Sequence, residues 1–335
     1  MQAILGSLIG PRKELHDLSG RVAVVTGGSM GIGYEVTRAL IQSHAAKVIM
    51  VSHNWDHGDA GLRGLKTEFG IETPVDWIQC DLGNLADVRK VFSDIRKNED
   101  RLDILVLSAG INSNKFALDH DEIERIFAIN WLGQLYAVNQ LYPLMRRTAK
   151  MSPDTPAPRI VFESSGVHRL APSNVKFRSL EEINNSKLGP VELYARSKLA
   201  IILGVKYGLL QRVIDAYGDR IYALSVHPGT VNTELQQQYR EAYPGLLGTV
   251  LTYTTLAFGR SPEQGACSAI YAASSPEVEK KRWNGVYLTD PGQLGKESSQ
   301  ASDPQLGAAL WDLSTNLIKQ KLGDDALIDW GSEGK

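Results

Sequence analysis

The sequence predicts an α/β fold: a doubly wound parallel sheet of about seven strands with helices on both faces. Short apolar runs alternate with helical patterns along the chain, as expected for repeated strand–helix–strand units. The first run, residues 22–25, has no polar alternation, which is typical of a strand covered on both faces. It leads into a glycine-dense turn at residues 27–33 that opens the next helix. We therefore predict one doubly wound domain whose ligands bind at the carboxyl ends of the strands.

The remaining elements follow from periodicity and turn residues. Predicted strands cover residues 22–25, 47–51, 75–80, 102–107, 160–162, 221–226 and 286–288. Predicted helices cover residues 31–43, 60–69, 85–97, 121–147, 190–217 and 262–275. Three prolines make residues 151–158 a loop, and an irregular polar stretch occupies residues 166–189.

The glycine turn, G-G-S-M-G-I-G at residues 27–33, allows two interpretations. Glycines permit a tight turn and a close approach of the backbone, and the N-terminus of the following helix favours an anion such as a pyrophosphate. The same letters fit G-x-S-x-G, the nucleophile elbow of an α/β-hydrolase, with Ser29 as the nucleophile. An elbow needs an earlier strand whose loop supplies part of the oxyanion hole, and only roughly twenty residues precede this turn. Its acid and then its histidine would also have to lie far downstream, where His227 is the last histidine. We predict a dinucleotide cradle, with a serine hydrolase as the weaker alternative.

Composition favours a protein that acts on small molecules. The 36 basic and 38 acidic residues give a formal charge of −2 with no basic run, so no nucleic-acid partner is expected. Cys80 and Cys267 are too few for a disulfide framework and show no metal-ligand spacing, which suits a cytoplasmic location. His53 and His57 form H-x-x-x-H in a predicted loop without a third ligand, so we predict no metal site.

Three regions are predicted along the chain. Residues 1–17 form an N-terminal arm, residues 18–290 the dinucleotide-binding domain with a substrate lid at about 233–260, and residues 291–335 a C-terminal extension. The arm has too few apolar residues to span a bilayer and lacks the basic start of a signal peptide. It is expected to pack on the surface, with a weak interfacial anchor as the alternative, and no integral membrane segment is predicted. The amphipathic tail predicts a helix packed on the body or on a partner subunit.

Tyr194 and Lys198 carry the most specific chemical signal in the chain. They are four residues apart in a predicted helix and therefore share one face. An ammonium beside a phenol favours the phenolate and lowers the tyrosine pKa toward neutral pH. Such a tyrosine can exchange a proton with an alcohol or carbonyl oxygen while a hydride moves to or from carbon.

The ordered motifs resemble the short-chain dehydrogenase/reductase family in its classical type, which has a Rossmann fold. They are T-G-x-x-x-G-x-G at residues 26–33, Y-x-x-x-K at 194–198 and P-G at 228–229, and the resemblance covers roughly residues 18–290. It implies a catalytic tetrad of Asn130, Ser165, Tyr194 and Lys198. In this family the asparagine locally breaks helical pairing and holds a water of the proton relay. The serine binds the substrate oxygen, and Ser164 is the weaker choice for that role.

The resemblance also implies a cofactor-binding set along the carboxyl ends of the strands. It comprises Gly27, Ser29, Met30, Gly31, Ile32, Gly33, Ser52, His53, Asp81, Leu82, Ser108, Ala109, Gly110, Asn130, Tyr194, Lys198, Pro228, Gly229, Val231 and Thr233. Ser108-Ala109-Gly110 replaces the usual N-A-G of the family, which keeps a polar residue at the first position. Asp81 has an alternative as the N-cap of the next helix. His227 is expected to be a packed, hydrogen-bonded histidine.

The end of the second strand indicates the cofactor. NAD enzymes usually place a carboxylate there to bind the ribose hydroxyls and repel a 2′-phosphate, but this chain has S-H-N and no carboxylate before Asp56. His53 stands where NADP-preferring relatives often carry arginine, and Ser52 can donate to a phosphate. A histidine is charged only part of the time near neutral pH, however. We predict a preference for NADP(H), with NAD as the alternative.

The expected reaction interconverts a carbonyl and an alcohol on a small, lipophilic substrate. Within the family the chain is similar to the retinol-dehydrogenase-like and WW-domain-oxidoreductase-like branch, and residues 233–258 form an apolar set suited to a lid or to simple packing. A polyketide or terpenoid-type ketone is an equal alternative to a retinoid-like substrate. A dinucleotide-binding sensor or scaffold without turnover is the alternative to an enzyme. Relatives often form homodimers through the helices that hold Asn130 and Tyr194.

Overall fold

A computed structural model describes residues 11, 13–113, 115–151, 154–231 and 259–331. Its centre is an eight-stranded sheet in the order β3-β2-β1-β4-β5-β6-β7-β8, parallel except for β8. The strands are β1 Val22–Thr26, β2 Lys47–Ser52, β3 Val75–Gln79, β4 Ile104–Leu107, β5 Arg159–Glu163, β6 Tyr222–Val226, β7 Tyr287–Asp290 and β8 Gln293–Leu294. The doubly wound parallel sheet of the prediction is confirmed. The two-residue antiparallel strand β8 is one more than the seven predicted, because too few residues form it to give a sequence pattern.

The helices alternate with the strands. They are α1 Gly31–Gln42, α2 Trp55–Phe69, α3 Leu85–Asn98, α4 (Arg125–Phe127, a π-helical turn Ala128–Leu132, and Gly133–Met151), α5 Leu180–Ile183, α6 (Pro190–Leu203, π-helical Gly204–Ile214, and Asp215–Tyr217), α7 Pro262–Ser274, α8 Glu277–Lys280 and α9 Pro304–Leu322. A 3-10 turn at Gly166–Leu170 and helix α5 lie in the stretch that was predicted to be irregular.

Two apolar layers sandwich the sheet because successive strand side chains point to opposite faces. On one face, Val24, Leu105 and Phe162 pack with the apolar sides of α3, α4, α6 and α9. On the other face, Val25 and Val161 pack with α1, α2, α7 and α8. This double coverage explains the continuous apolar runs of the central strands.

Two helix starts differ from the prediction. Helix α4 begins at Arg125 rather than at 121, because the Glu124 carboxylate accepts from the N–H groups of Ile126 and Phe127 and caps the first turn there. Helix α2 begins at Trp55 rather than at 60, because the Asn54 side chain accepts from the His57 N–H. His57 therefore lies in a helix, and its placement in a loop was wrong.

The tail after β8 packs on the body of the same chain. Helix α9 lies against α6 and α4, where Trp131 Nε1 donates to Ser314 Oγ at 2.8 Å. Beyond α9, the Tyr136 hydroxyl donates to the carbonyl of Ala326 at 2.9 Å. Trp330 Nε1 donates to a carbonyl of α4, and the ring is buried. The tail therefore covers α4 with apolar and hydrogen-bonding contacts of its own.

Several predictions fall partly outside this description. Most of the N-terminal arm, nearly all of the lid and Thr233 belong to residues that the structure does not describe. The domain boundaries stay predictions. Among the described helices, none has a long enough apolar stretch to cross a bilayer. Within the same residues, no group of three His, Cys, Asp or Glu side chains is arranged to hold a metal ion.

Candidate active site

The carboxyl ends of the parallel strands form one edge of the sheet, and the predicted site residues meet there. This edge carries the turns after β1 to β6 and the adjoining parts of α4 and α6. The predicted residues placed at it are Gly27, Ser29, Met30, Gly31, Ile32, Gly33, Ser52, His53, Asp81, Leu82, Ser108, Ala109, Gly110, Asn130, Ser165, Tyr194, Lys198, Pro228, Gly229 and Val231.

The glycine turn packs directly against the end of β4. Gly27 has a φ of +66°, and a Cβ at this position would lie 2.8 Å from Cα of Ala109. A Cβ on Gly33 would overlap the carbonyl oxygen of Gly27. Helix α1 begins at Gly31, and the preceding Met30 gives it no side-chain cap, which leaves the first N–H groups for an anion. The turn has the shape and the donors that a dinucleotide pyrophosphate requires.

The end of β2 is organised by a serine that binds two side chains. Ser52 Oγ accepts from Ser29 Oγ at 2.9 Å and from Trp77 Nε1 at 2.8 Å. The His53 ring is exposed, with Nδ1 3.8 Å from a carboxylate oxygen of Asp81. Because Ser29 is tied to Ser52, the structure gives no support to Ser29 as a nucleophile.

Asp81 is not a helix cap. Its Oδ1 accepts from the Gly83 N–H at 2.9 Å. Helix α3 is capped instead by Asn84, whose Oδ1 accepts from the N–H groups of Ala86 and Asp87. The alternative role of Asp81 as the N-cap was therefore wrong, and one of its oxygens faces His53.

A hydrogen-bond network that the sequence analysis missed holds the end of β4. Thr26 Oγ1 accepts from the Ala109 N–H and donates to Gln134 Oε1. Gln134 Nε2 in turn donates to the carbonyl of Ala109 at 3.0 Å. No sequence signal marked Gln134, whose side chain reaches the strand end from the middle of an apolar helix face. The network fixes the backbone of the Ser108-Ala109-Gly110 turn.

Asn130 lies in the π-helical turn of α4 and is fully buried. Its Oδ1 accepts from the Ile111 N–H at 2.8 Å, and its Nδ2 donates to the Ile111 carbonyl and to Ser197 Oγ, each at 3.0 Å. The α-helical pairing therefore changes at this residue, as the resemblance implies, and π-helical turns often mark functional sites.

The two serines after β5 have different environments. Ser164 Oγ donates to the carbonyl of Lys198 at 2.8 Å and lies in the buried interior. Ser165 Oγ accepts only a long bond of 3.2 Å from the Val167 N–H among the described contacts. Its carbonyl is bound by His168 Nδ1 at 2.7 Å. These contacts agree with the choice of Ser165 over Ser164 as the residue that faces a substrate.

Lys198 is buried between Tyr194 and the end of β5. Its Nζ donates to the backbone carbonyl of Glu163 at 2.7 Å and lies 5.5 Å from the centre of the Tyr194 ring. Burial lowers the pKa of the Lys198 ammonium, and the negative charge of the Glu163 side chain opposes that shift. A Cβ on Gly110 would lie 3.6 Å from Nζ and 3.4 Å from Asn130 Oδ1. Lys198 and Asn130 therefore meet beside Gly110, and the Tyr194 ring lies next to the Lys198 ammonium.

Glu163 is a second residue that the sequence analysis missed. Its side chain is buried, and burial raises the pKa of the carboxyl against the attraction of Lys198 and a hydrogen bond from Ser108. The only signal was a carboxylate that ends the otherwise apolar strand I-V-F-E.

His227 is packed, as expected. Its Nδ1 accepts from the Gly166 N–H at 3.3 Å, and burial lowers its pKa to about 4. The ring is therefore neutral at physiological pH and serves as a hydrogen-bond acceptor. The following Gly229 has a φ of +84°, a conformation that favours glycine in this turn.

The comparisons with known proteins agree with this geometry. The model of the family described as short chain dehydrogenase matches residues 21–173. The mitochondrial oxidoreductase bli-4 of Neurospora crassa is 33% identical over 92% of this chain and 74% of its own. Polyprenol dehydrogenase of Mus musculus is 31% identical over 93% and 88% of the two chains. The chain belongs to the short-chain dehydrogenase/reductase family.

Further similarities define its branch and its fold. The WW domain-containing oxidoreductase of Gallus gallus is 30% identical over 92% of this chain and 70% of its own. Among solved structures, the RhlG/NADP active-site complex of Pseudomonas aeruginosa has a TM-score of 0.61, with 23% identity over 82% and 97% of the chains. This short-chain dehydrogenase/reductase lies in the retinol-dehydrogenase-like branch. It is an oxidoreductase acting on CH–OH or C=O groups with a nicotinamide dinucleotide.

Proposed function

We propose that this chain is an NADP(H)-dependent oxidoreductase that interconverts a carbonyl and an alcohol on a lipophilic substrate, with Tyr194 as the general acid/base. The observation that carries the proposal is the meeting of Lys198 and Asn130 beside Gly110, next to the glycine cradle, with the Tyr194 ring beside the Lys198 ammonium. The nicotinamide supplies or accepts the hydride.

The roles of the side chains follow from their contacts. In the reductive direction the Tyr194 hydroxyl donates a proton to the substrate oxygen, which the Ser165 hydroxyl holds. Lys198 lowers the pKa of the phenol by its charge and binds the nicotinamide ribose hydroxyls. Asn130, fixed on three hydrogen bonds to Ile111 and Ser197, holds the water that resupplies the proton.

The test is Tyr194→Phe, assayed by the loss of NADPH absorbance with decanal, farnesal and 2-undecanone. Turnover should fall by about 10²–10⁴-fold because the general acid is removed. NADPH binding, followed by fluorescence, should change little. Tyr217→Phe, an exposed tyrosine at the opposite edge of the sheet, is the matched control. Retained turnover in Tyr194→Phe contradicts the assigned role.

The preference for NADP(H) over NAD(H) is supported by the end of β2. Ser52 and the exposed His53 stand there, and the first carboxylate after them is Asp56 in helix α2. With His53, this position has neither the carboxylate that is usual in NAD enzymes nor the arginine that NADP-preferring relatives often carry. We expect a higher kcat/KM with NADPH than with NADH, and His53→Asp should reverse the preference by repelling the 2′-phosphate. A large preference of the unaltered enzyme for NADH contradicts this assignment.

A lipophilic substrate is proposed from the apolar residues 243–258 in the sequence and from the names of the relatives, one of which is a polyprenol dehydrogenase. A polyketide or terpenoid-type ketone remains the second class. The carbonyl panel above ranks an isoprenoid substrate, represented by farnesal, against a straight-chain ketone, represented by 2-undecanone. The two compounds differ in shape at similar apolarity. A cytoplasmic location is also proposed, although bli-4 is named as mitochondrial. Cell fractionation tests it.

The contacts of the tail support a proposal about the oligomeric state. A homodimer through α4 and α6 is implied by the resemblance, but contacts of Ser314, Ala326 and Trp330 cover α4 in the same chain. We therefore propose that the chain does not pair through these helices. Sedimentation at micromolar concentration should give a monomer, or a dimer that forms without displacing the tail. A dimer that dissociates when α4 surface residues are changed contradicts the proposal.

A further inference from the structure

The carboxyl group of Glu163 lies beside the active site, and none of the proposed catalytic steps uses it. It ends β5 two residues before Ser165, and its side chain is only 6% exposed. Its Oε1 has no hydrogen-bond partner among the described residues. A buried carboxyl with an unused oxygen is costly unless the surrounding charges compensate for it. Such a carboxyl beside the active site therefore indicates a functional role.

Glu163 and Lys198 reach the same strand end from opposite faces of the sheet. The side chains of Ile160 and Phe162 point toward α4 and α6, so that of Glu163 points toward α1 and the glycine turn. Ser108, which gives the carboxyl a hydrogen bond, also faces the glycine turn: its Oγ would lie 3.1 Å from a Cβ on Gly33. Lys198 comes from α6 on the other face and binds the Glu163 carbonyl.

The charged neighbour that acts on the Glu163 carboxyl is Lys198, and the one that acts on the Lys198 ammonium is Glu163. From β4, the uncharged Ser108 gives the carboxyl a hydrogen bond. His227, at the end of neighbouring β6, interacts with Arg260 and Asp290 instead. Tyr194 is the remaining titratable neighbour of Lys198. A buried ammonium with a single counter-charge depends on that charge to stay protonated.

We propose that Glu163 is a positioning residue of the active site, whose buried carboxylate keeps the Lys198 ammonium charged and in place beside Tyr194. The proposal rests on the proposed roles of Tyr194 and Lys198. The backbone carbonyl of Glu163 orients Nζ, and its side chain supplies the compensating charge. Ser108 holds the carboxylate and favours its ionised form. The departure from N-A-G at Ser108 and the carboxylate at Glu163 are thereby parts of one arrangement.

The test compares the pH dependence of carbonyl reduction in the unaltered enzyme and in Glu163→Gln, which keeps the size of the side chain. Without the negative charge, the pKa values of Lys198 and of Tyr194 both fall, and both shifts move the alkaline limb of kcat/KM to lower pH. We expect a displacement of about one pH unit, or up to tenfold lower kcat/KM on the alkaline side. The two enzymes should converge at acidic pH, where Lys198 is protonated in both.

Controls separate charge from structure. Glu163→Asp keeps the charge and should restore most of the alkaline limb, whereas Glu181→Gln, which removes an exposed carboxylate, should leave the profile unchanged. Identical limbs in Glu163→Gln and the unaltered enzyme overturn the proposal, as does a loss that is equal at every pH. Should Glu163→Gln not fold, Ser108→Ala replaces it, with a smaller shift of the same sign expected.

NADPH binding provides a readout that needs no turnover. If Lys198 binds the nicotinamide ribose, the dissociation constant should rise with pH earlier in Glu163→Gln than in the unaltered protein. If the unaltered protein turns over no carbonyl but the two proteins still differ in the pH dependence of NADPH binding, the proposed reaction is refuted and the role of Glu163 is supported. Coincident profiles in which NADPH binding weakens with rising pH in both proteins overturn the role of Glu163 whatever the reaction.

Discussion

Helix α6 contains two buried cations within one turn, and their surroundings differ. Arg196 donates from Nη1 to the carbonyl of Glu182 at 2.9 Å and from Nη2 to that of Ile183 at 2.7 Å. Its Nη2 also lies 3.2 Å from a carboxylate oxygen of Glu124, and both side chains are fully buried. Lys198 donates one described hydrogen bond, to a backbone carbonyl, and its counter-charge makes no direct ion pair.

The difference separates a charge used for structure from a charge used for chemistry. The guanidinium of Arg196 joins the start of α4, the end of α5 and α6, and it keeps its proton at every working pH. The ammonium of Lys198 has a lowered pKa and donors left for a ligand. An arginine gives fixed geometry, whereas a desolvated lysine can respond to its neighbours.

The largest effect expected from this comparison is on activity in Lys198→Met. Turnover should fall by about 10²–10⁴-fold, because the charge that supports Tyr194 is lost. The free energy of unfolding at pH 7 should not fall, because the folded state binds the proton of Lys198 more weakly than the unfolded state does, and Glu163 can neutralise itself by protonation. Initial rates and urea unfolding measure both quantities. A loss of stability as large as that of Arg196→Met removes the distinction between the two cations.

Arg196→Met should instead lower the free energy of unfolding by about 3–5 kcal/mol. The substitution leaves the buried Glu124 carboxylate without its cation and two carbonyls without a donor. Urea denaturation at pH 7 measures the loss. The double variant Glu124→Gln/Arg196→Met should recover part of it, since the uncompensated charge is gone. Full stability in Arg196→Met shows that the pair is not structural.

The sequence predicted the parts of this site that depend on local spacing. Tyr194 and Lys198 share a helix face because of their separation, and the glycine turn follows an apolar strand directly. Glu163 and Gln134 could not be predicted, because their roles depend on which sheet face each side chain takes and on a partner from a distant helix. Arg196 lies inside the Y-A-R-S-K motif, yet its partner Glu124 comes from another element.

The same reasoning explains where the fold prediction was wrong and where it stayed open. The start of α4 moved from 121 to Arg125 because a single capping carboxylate outweighed a continuing helical pattern. The apolar face of α9 could pack on the body of the same chain or on a second subunit. Periodicity shows that a helix has an apolar face but not which surface covers it, so the position of the tail could not be predicted.

The smallest predicted effect is the contribution of the Glu163 carboxyl to the pH dependence of the free energy of unfolding. Burial raises the pKa of Glu163 above its ordinary value of 4.5, so the folded state keeps a proton that the unfolded state has lost as the pH rises through that window. The unaltered protein should therefore lose stability relative to Glu163→Gln as the pH rises from 4.5 to neutrality, by less than the loss in Arg196→Met, and the difference should then stay constant. Urea midpoints of both proteins at pH 5 and pH 7.5 measure it. A difference that is the same at both pH values means that Lys198 holds the Glu163 carboxylate ionised throughout, and the contrast between the two cations of α6 then lies in their hydrogen bonds alone.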